Sequence, residues 1–276
     1  MRSLSIIIFL LAATAATTFS QIVTDLYQYH YTTVSPAFAG TAGNKITFQG
    51  SLWLDEHDNS VATSFIGAEF NIKKINSGIG FNATTFRGEE DLSLMNVIYN
   101  YHFKIGEKSK FIVGTRLSSL QVSSRVYAAT GFVGNIGVQL KGPRAYAGVS
   151  IDNVVTSELR HFNYFTTRVW NIIVGRDIKV GEDFESMNSV YVATAKEDWF
   201  VSANTSVVIK KLVILGLSLD FAKDIDDVFW KGNAGIRFGD VGRVLFSVYT
   251  KSFQVVPERK FSGQMMLQFN LSKNEE

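Results

Sequence analysis

The feature that most constrains this chain is a period-two alternation of apolar and polar residues that recurs along most of its length. Between residues 261 and 271, one side of the pattern is Phe261, Gly263, Met265, Leu267, Phe269 and Leu271. The other side is Ser262, Gln264, Met266, Gln268 and Asn270. Successive side chains of a β-strand point to opposite faces, so this spacing predicts a strand with one apolar face, and helical spacing does not fit it.

Turn-forming residues divide the chain into about fourteen such segments. The predicted strands span residues 44–54, 61–72, 78–86, 92–103, 110–120, 131–140, 144–151, 163–175, 184–194, 198–209, 212–221, 228–238, 242–250 and 260–271. Tight connections such as Lys141-Gly142-Pro143 alternate with mostly longer, polar ones such as Asp152 to Phe162. An even strand count with this alternation is typical of an outer-membrane barrel. The expected fold class is all-β: a transmembrane antiparallel β-barrel of about 14 strands over residues 44–271, followed by a C-terminal tail, 272–276.

Composition agrees with a protein that crosses a membrane with strands. Mean hydropathy is +0.09 and 13% of the residues are aromatic. After residue 20, however, no apolar run reaches the ~18 residues that a spanning helix needs. Aromatic residues near the predicted strand ends are expected to form interfacial girdles. They are Trp53, Tyr101, Phe103, Tyr127, Trp199, Trp230, Tyr249 and Phe253.

A soluble all-β protein is the alternative architecture, because a sandwich or a propeller would hide the same apolar faces in a core. A propeller also requires a repeat of roughly 40 to 50 residues, which the sequence does not show. In lipid, only a closed barrel pairs all the backbone groups of a sheet. The positive mean hydropathy, the even strand count and the export signal described next therefore favour the barrel.

The first twenty residues have the pattern of a secretory signal peptide. Arg2 precedes an apolar run from Leu4 to Ala13, and small residues continue to Ser20, so cleavage is expected before Gln21. A short membrane anchor is the alternative, although the run is shorter than a spanning helix. The formal charge of +2, with scattered Lys and Arg, argues against nucleic acid as a partner. The absence of cysteine excludes disulfides, thiol nucleophiles and zinc ribbons.

Residues 21–43 form an N-terminal segment, periplasmic or lumenal, before the first predicted strand. Its aromatic residues are Tyr27, Tyr29, Tyr31 and Phe38. A loose tail is poor in aromatics, so we expect Pro36 and Gly40 to fix a turn that folds the segment against the lumen or the barrel rim. A flexible leader is the alternative.

Two short motifs in this segment carry a family resemblance. They are Gln28-Tyr29 and, after Ser35, the run Pro36-Ala37-Phe38-Ala39-Gly40. With them the chain resembles the PorP/SprF family of type IX secretion system membrane proteins, whose mature chains open with Gln-Tyr and then Asn-Pro-Ala-aromatic-Ala-Gly. Ser35 stands where the family usually has Asn. The residues predicted to contact a partner or the lumen are Gln28, Tyr29, Pro36, Ala37, Phe38, Ala39 and Gly40.

The resemblance implies a non-enzymatic β-barrel, without a cofactor, in the outer membrane of a Gram-negative bacterium of the Bacteroidota type. The implied partners are outer-membrane lipid, type IX secretion subunits at the periplasmic face, and a secreted cargo protein such as a gliding adhesin. The strand pattern alone equally permits a passive porin or a hydrophobic-solute channel. An outer-membrane hydrolase, which would need Ser, His and an acid together, is a third class.

The remaining candidate chemical sites are weak. The histidines, His30, His57, His102 and His161, lack metal-ligand spacing, and His102 is expected in the lumen or at the interface. The run Asp55-Glu56-His57-Asp58 offers oxygen ligands for a divalent cation but equally fits a solvated loop. Gly131, Gly134 and Gly137 lack the ending of a phosphate loop and are expected to allow close packing or curvature. No catalytic, metal-ligating or cofactor-binding residue is predicted.

Overall fold

A computed structural model describes residues 31–55, 60–87, 91–123, 128–157, 167–196, 198–223, 225–250 and 259–271. Its strands are β1 (Lys45–Asp55), β2 (Ser60–Ile72), β3 (Ser77–Arg87), β4 (Asp91–Lys104), β5 (Lys110–Ser123), β6 (Ala128–Lys141), β7 (Ala145–Thr156), β8 (Val169–Val180), β9 (Phe184–Ala195), β10 (Asp198–Ile209), β11 (Val213–Ala222), β12 (Ile225–Phe238), β13 (Gly242–Thr250) and β14 (Arg259–Asn270). Three 3-10 turns, Tyr31–Thr33, Pro36–Phe38 and Lys73–Ile75, complete the elements. In these ranges no helix has the length and apolar character to cross a membrane. The predicted signal peptide, 1–20, and tail, 272–276, lie outside the described residues.

The sheet closes on itself. Each strand pairs antiparallel with its neighbours in the chain, and β14 returns to pair with β1. The closing pair keeps its register from Lys45 opposite Asn270 to Leu54 opposite Phe261. Closure leaves no strand edge unpaired, which is the condition for a sheet in lipid. The predicted antiparallel barrel of about 14 strands is confirmed.

Alternation along each strand separates a polar lumen from an apolar outer surface. On β1, Thr47 and Ser51 point inward and are 1% and 8% exposed, whereas Phe48 and Leu52 point outward and are 42% and 43% exposed. Outward side chains on other strands are also large, apolar and exposed, among them Ile66, Phe81, Val97, Leu117, Ile136, Ile172, Leu215 and Phe246. This arrangement suits a barrel whose outer surface contacts lipid and whose hydrogen-bonding groups face inward.

The two ends of the barrel differ. The end at which β1 begins and β14 finishes, here called the turn end, carries six connections of three to five residues. The opposite, loop end carries the longest connections, 157–168 and 251–258. The predicted contrast in length holds only in part, because at the loop end two residues suffice to join β9 to β10 and β11 to β12.

Aromatic side chains lie near both ends on the outer surface. Tyr101 and Phe103 are exposed at the turn end, and Trp199 and Trp230 are exposed toward the loop end. Trp170, which the sequence analysis did not select, is exposed beside them at 48%. The other predicted girdle side chains, those of Trp53, Tyr127, Tyr249 and Phe253, lie outside the description.

Two strands differ most from their predicted bounds. The segment predicted over 163–175 is β8, Val169–Val180, because charged residues on both of its faces, Arg176 outward and Asp177 inward, hide the alternation. The segment predicted over 144–151 continues as β7 to Thr156. Its second half follows a register shift at Asn153, whose φ of +60° interrupts the period of two.

Candidate functional site

Residues 31–43, here called the plug segment, enter the barrel from the turn end. Within it, Thr32, Val34 and Ser35 are 1–2% exposed, and the motif residues Ala37, Phe38 and Ala39 are 0–3% exposed. The 3-10 turn Pro36–Phe38 contacts β4, β5 and β6. The structure therefore places Pro36, Ala37, Phe38, Ala39 and Gly40 inside the lumen, while Gln28 and Tyr29 lie outside the described residues.

The local sequence explains the sharp path of the plug segment. Ser35 is extended and its Oγ accepts a hydrogen bond of 3.4 Å from the Ala37 N–H, which caps the turn. Pro36 follows at a position where its missing N–H costs nothing. Gly40 has φ +67°, and a Cβ there would lie 2.3 Å from the Phe70 carbonyl oxygen. Only glycine combines that backbone conformation with so close an approach.

Asn100 on β4 holds the backbone of the motif. Its Nδ2 donates to the carbonyl oxygens of Pro36 and Ala37 at 3.2 Å and of Ala39 at 2.8 Å. Because the amide nitrogen faces these carbonyls, Oδ1 is the acceptor toward His102 Nε2 at 2.8 Å, so that ring nitrogen carries a proton. His102 is 4% exposed in the lumen, where it orients the amide.

Arg116 on β5 holds the first 3-10 turn. Its Nη1 donates to the carbonyl oxygens of Thr32 at 3.2 Å and Thr33 at 3.1 Å. Its Nη2 pairs with Asp152 Oδ1 on β7 at 2.8 Å. Asn171 on β8 donates to the other oxygen of that carboxylate at 3.0 Å. One guanidinium therefore links the plug segment to two further strands of the wall.

A second carboxylate, Glu69 on β2, contacts the opposite side of the plug segment. It accepts from the Gly40 N–H at 3.0 Å and from Thr32 Oγ1 at 3.1 Å. Lys45 Nζ lies 3.2 Å from Glu69 Oε1, with both side chains less than a tenth exposed. Lys141 donates to the Thr41 carbonyl oxygen. Buried charges are tolerated here because each has a paired or hydrogen-bonding group.

Inward-facing glycines give the plug segment its room. A Cβ on Gly78 would lie 2.0 Å from the Ala39 carbonyl oxygen, and one on Gly114 would lie 2.6 Å from the Ala37 nitrogen. A Cβ on Gly137 would lie 2.5 Å from Ser35 Oγ. Gly137 is the last glycine of the predicted 131–137 pattern, and it leaves room for the side chains of Ser35 and Pro36.

The apolar side of the plug segment packs against β7 to β10. Val34 and Phe38 form a buried cluster with Ile173, Tyr191, Ala193 and Phe200. Tyr31 has its ring centroid 5.0 Å from those of both Phe38 and Tyr146, and the Tyr146 hydroxyl donates to the Tyr31 hydroxyl at 2.6 Å. These are favourable aromatic distances. Tyr27 and Tyr29, the other predicted anchors, lie outside the described residues.

Elsewhere the strands fill the lumen with their own side chains. Between β9 and β14, near the turn end, Val208, Ile214, Leu245 and Met266 form a buried apolar cluster. Farther along β11 and β12, Lys231 pairs with Asp220, and each side chain is 1% exposed. On the loop-end side of the plug segment, the inward residues Phe86, Leu92, Leu120 and Val122 are also buried.

The arrangement holds a peptide segment inside the lumen through side chains of the wall. The described part of the chain holds no cluster of three or more His, Cys, Asp or Glu side chains placed to bind a metal ion. Of the acidic run 55–58, residues 56–58 are outside the description. The lumen provides a set of donors and acceptors matched to the plug backbone, which is the chemistry of a closure or a docking element.

Comparison with known proteins identifies the family. The sequence profile of the type IX secretion system membrane protein PorP/SprF matches residues 17–256. The chain belongs to the PorP/SprF family. The matched range includes the whole plug segment and β1 to β13, so the resemblance noted from the motif extends over most of the barrel. No curated protein matches this PorP/SprF chain.

Solved structures similar to this PorP/SprF protein are outer-membrane barrels and channels. The outer membrane protein Omp33 of Acinetobacter baumannii has a TM-score of 0.53 and 10% identity, over 83% of this chain and 98% of that one. The toluene transporter TodX of Pseudomonas putida has 0.51 and 9%, over 89% and 92%. The monoaromatic hydrocarbon channel CymD has 0.51 and 8%, over 82% and 87%. At such identities the likeness shows the fold, and with the family it places the protein in the outer membrane. Outer-membrane barrels have short turns on the periplasmic side, and by this rule we take the turn end as the periplasmic one.

The sequence analysis found the motif but missed the wall that holds it. Glu69, Asn100 and Arg116 were not selected because each occupies an ordinary polar position of an alternating strand, and Asp152 because it falls in a predicted polar connection. The available signal is weak: charged or amide residues at inward positions among apolar neighbours, as at Arg116 between Thr115 and Leu117. Which of them meet the plug segment depends on closure of the sheet.

Proposed function

We propose that this protein is a non-enzymatic accessory barrel of the type IX secretion system that supports export or surface anchoring of one secreted protein, such as a gliding adhesin. Family membership supports the connection to the secretion system. The plug segment supports a dedicated rather than a passive role, because a lumen occupied by a bonded backbone does not serve free diffusion. The signal peptide over residues 1–20 and an origin in the Bacteroidota are part of this proposal.

The turn end offers a surface for the secretion machinery. Three adjacent turns, those joining β2–β3, β4–β5 and β6–β7, carry a group of basic residues here called the basic turns. Its members are Lys73, Lys74, Lys104, Lys108, Lys110 and Arg144. Glu107 is the one acidic residue in the same stretches, 73–76, 104–110 and 141–144. A surface of this charge favours a partner with an acidic face.

Gene deletion and conductance together test the proposal. Deleting the gene is expected to remove one surface protein, or a small set, from intact cells while leaving permeability to small dyes unchanged. Purified wild-type protein in planar bilayers is expected to be electrically quiet, since the plug segment fills its part of the lumen. Complementation with the wild-type gene is the control. Large constitutive currents with an unchanged surface proteome would instead identify a passive porin or hydrophobic-solute channel.

A further inference from the structure

One row of polar residues interrupts the apolar outer surface. Arg176 on β8, Asn188 on β9 and Thr205 on β10 occupy outward positions, and the strand register sets Arg176 opposite Asn188 and Asn188 opposite Thr205. On the same faces Val174 and Ile178 flank Arg176, and both are exposed. Apart from Ser186, the outward neighbour of Asn188 on β9, the row is flanked by side chains of the lipid-contacting type.

The depth of the row places it inside the membrane. Each of its three residues is four positions from the turn end of its strand. With a rise of about 3.3 Å per residue and a strand tilt of about 40°, that is about 10 Å from the strand ends. Phe184, on the outer face of β9, is four positions nearer the periplasm than Asn188 and marks the aromatic level. A charged side chain pointing to lipid below this level is costly unless something pairs with it.

A groove coincides with the row. Its volume is about 460 Å³, and its lining includes Arg176, Asn188 and Thr205 together with Val190, Leu217 and Leu219. Small residues of the same strands, Gly175 and Ala203, also line it. An apolar depression with polar groups along one side is suited to a side chain of a neighbouring protein rather than to loosely packed lipid tails.

The two neutral side chains of the row have hydrogen-bond partners on the outer surface, but among the described residues the charged side chain, that of Arg176, has none. Thr205 Oγ1 donates to Asn188 Oδ1 at 2.8 Å, and Asn188 Nδ2 donates to Ser186 Oγ at 2.9 Å. Within the part of the chain that the structure describes, Arg176 has no ion pair or side-chain hydrogen bond. The cation that most needs a partner in lipid is thus the one left for an external group.

We propose that this row and its groove form a lateral docking site for a second, different transmembrane protein that presents a carboxylate to Arg176 within the membrane. This inference goes beyond the proposed function and does not depend on the plug segment. Charge complementarity defines the partner, because a carboxylate neutralises the guanidinium and accepts two of its hydrogen bonds. In a medium without water such a pair also fixes depth and orientation.

A lipid or a second copy of the chain fits the row and its groove less well than a different transmembrane protein does. Arg176 is long enough to extend toward a phosphate at the headgroup level, but Asn188 and Thr205 are too short to follow, so a headgroup leaves the groove empty. A two-fold symmetric contact at the row would set the two Arg176 side chains against each other. Among the described outward positions of the strands that form the row, β8 to β10, there is no acidic residue to receive the cation of another copy.

Site-specific cross-linking in the native outer membrane tests the proposal. Because the chain has no cysteine, Leu217→Cys in the groove can carry a benzophenone maleimide as its only label. Val113→Cys on β5 is the matched control, since Val113 is outward-facing, three residues from the turn end and 41% exposed against 40% for Leu217. Light is expected to join the Leu217→Cys label, and not the Val113→Cys label, to one other membrane protein.

The charge supplies the second test. Arg176→Glu in the Leu217→Cys background is expected to reduce the adduct at least tenfold, and Arg176→Gln to reduce it less. Arg87→Glu, at an exposed position on the loop-end rim of β3, is expected to leave it unchanged. The change in gel mobility that a folded barrel shows on heating checks that each variant is folded. In the identified partner, replacing the acidic residue nearest the cross-link by Lys is expected to restore the adduct with Arg176→Glu.

Each other outcome overturns the proposal. An adduct of lipid mass would assign the row to a lipid, and one of twice the chain mass would assign it to self-association. An adduct whose yield is unchanged by Arg176→Glu would show that the cross-linked protein is near the groove by chance. Because the readout is the adduct itself, a barrel that secretes its cargo normally without one would refute the docking site and leave the proposed function standing.

Discussion

At the scale of single residues, the plug segment depends on Asn100 more than on any member of its own motif. One amide nitrogen faces the carbonyl oxygens of Pro36, Ala37 and Ala39, all buried. The Pro36 carbonyl also accepts from the Ala39 N–H, but removing the amide takes the donor from Ala37 and Ala39, and an unsatisfied buried group costs about 1–3 kcal/mol. No replacement side chain at this position offers the same donor with Oδ1 turned to His102.

Asn100→Ala is therefore expected to loosen the plug segment without unfolding the barrel. A loss of about 1–3 kcal/mol raises the opening equilibrium roughly fivefold to 160-fold. The reporter is Val34→Cys, at a position 2% exposed in a chain without other cysteines. Its rate of maleimide labelling is expected to rise by that factor.

Asn96→Ala is the matched control for this measurement. Asn96 lies four positions from Asn100 on the same inward face of β4 and bonds to Asn82, not to the plug segment. Equal labelling rates in wild type, Asn96→Ala and Asn100→Ala would contradict the role assigned to Asn100.

Residue identity also limits what the sequence predicts. Pro36 and Gly40 have intrinsic backbone preferences, so a turn at the motif is predictable from the letters alone. Asn100 and Arg116 have no such signature, because a polar residue at an inward position is ordinary for a barrel strand. Their partners lie 61 to 84 positions away in the chain, a separation that only the closed sheet brings together.

At the scale of elements, the strands and the plug segment are fitted to each other through glycine. β3 and β5 place Gly78 and Gly114 where the plug backbone comes close, and β6 places Gly137 against the side chains of Ser35 and Pro36. The period of two predicts these strands well, since it depends only on near neighbours in the chain. The prediction fails where that period is broken, which happens at the bulge of β7 and on β8, where both faces carry a charged residue.

Gly114→Val is expected to expel the plug segment from the lumen. The first carbon added would lie 2.6 Å from the backbone of Ala37, and neither backbone is able to yield without breaking bonds to Asn100. Planar-bilayer recordings are expected to show frequent openings where the wild type is quiet, and Val34→Cys is expected to label faster.

Gly232→Val supplies the control for that steric argument. Gly232 faces outward on β12, and a Cβ there meets nothing within 4 Å. The same substitution in the same kind of strand is thus harmless to the lumen, and its recordings are expected to match the wild type. Quiet recordings and slow labelling from Gly114→Val would show that the wall adapts and that the glycines do not position the plug segment.

At the scale of the whole molecule, charge is distributed unevenly around the periplasmic rim. The formal charge of the chain is only +2, yet the basic turns gather six cations on the β2 to β7 side of the turn end. Net charge alone hides this asymmetry, and the strand order of the closed barrel reveals it by making the three turns adjacent. The same side of the barrel holds the plug segment, so a protein bound to the basic turns would lie beside the point where the chain enters the lumen.

Reversing the charge of the basic turns is expected to weaken secretion without weakening the barrel. The variant Lys73→Glu/Lys74→Glu/Lys108→Glu/Arg144→Glu changes four exposed residues that lie in the turns and outside the strands. If an acidic face of the secretion machinery docks there, the surface amount of the cargo falls several-fold, because like charges now meet across the contact. Quantifying that cargo on intact cells provides the measurement.

The control uses the same chemistry on the far side of the rim. Lys210 and Lys211 form the turn between β10 and β11, both exposed and away from the basic turns, so Lys210→Glu/Lys211→Glu tests whether any loss of periplasmic charge suffices. Cargo at the wild-type level in this pair, with a deficit in the fourfold variant at equal barrel abundance, locates the contact. Equal deficits in both would mean that the rim acts through its total charge, as expected for anionic headgroups of the inner leaflet, and the machinery would then have to contact the barrel elsewhere.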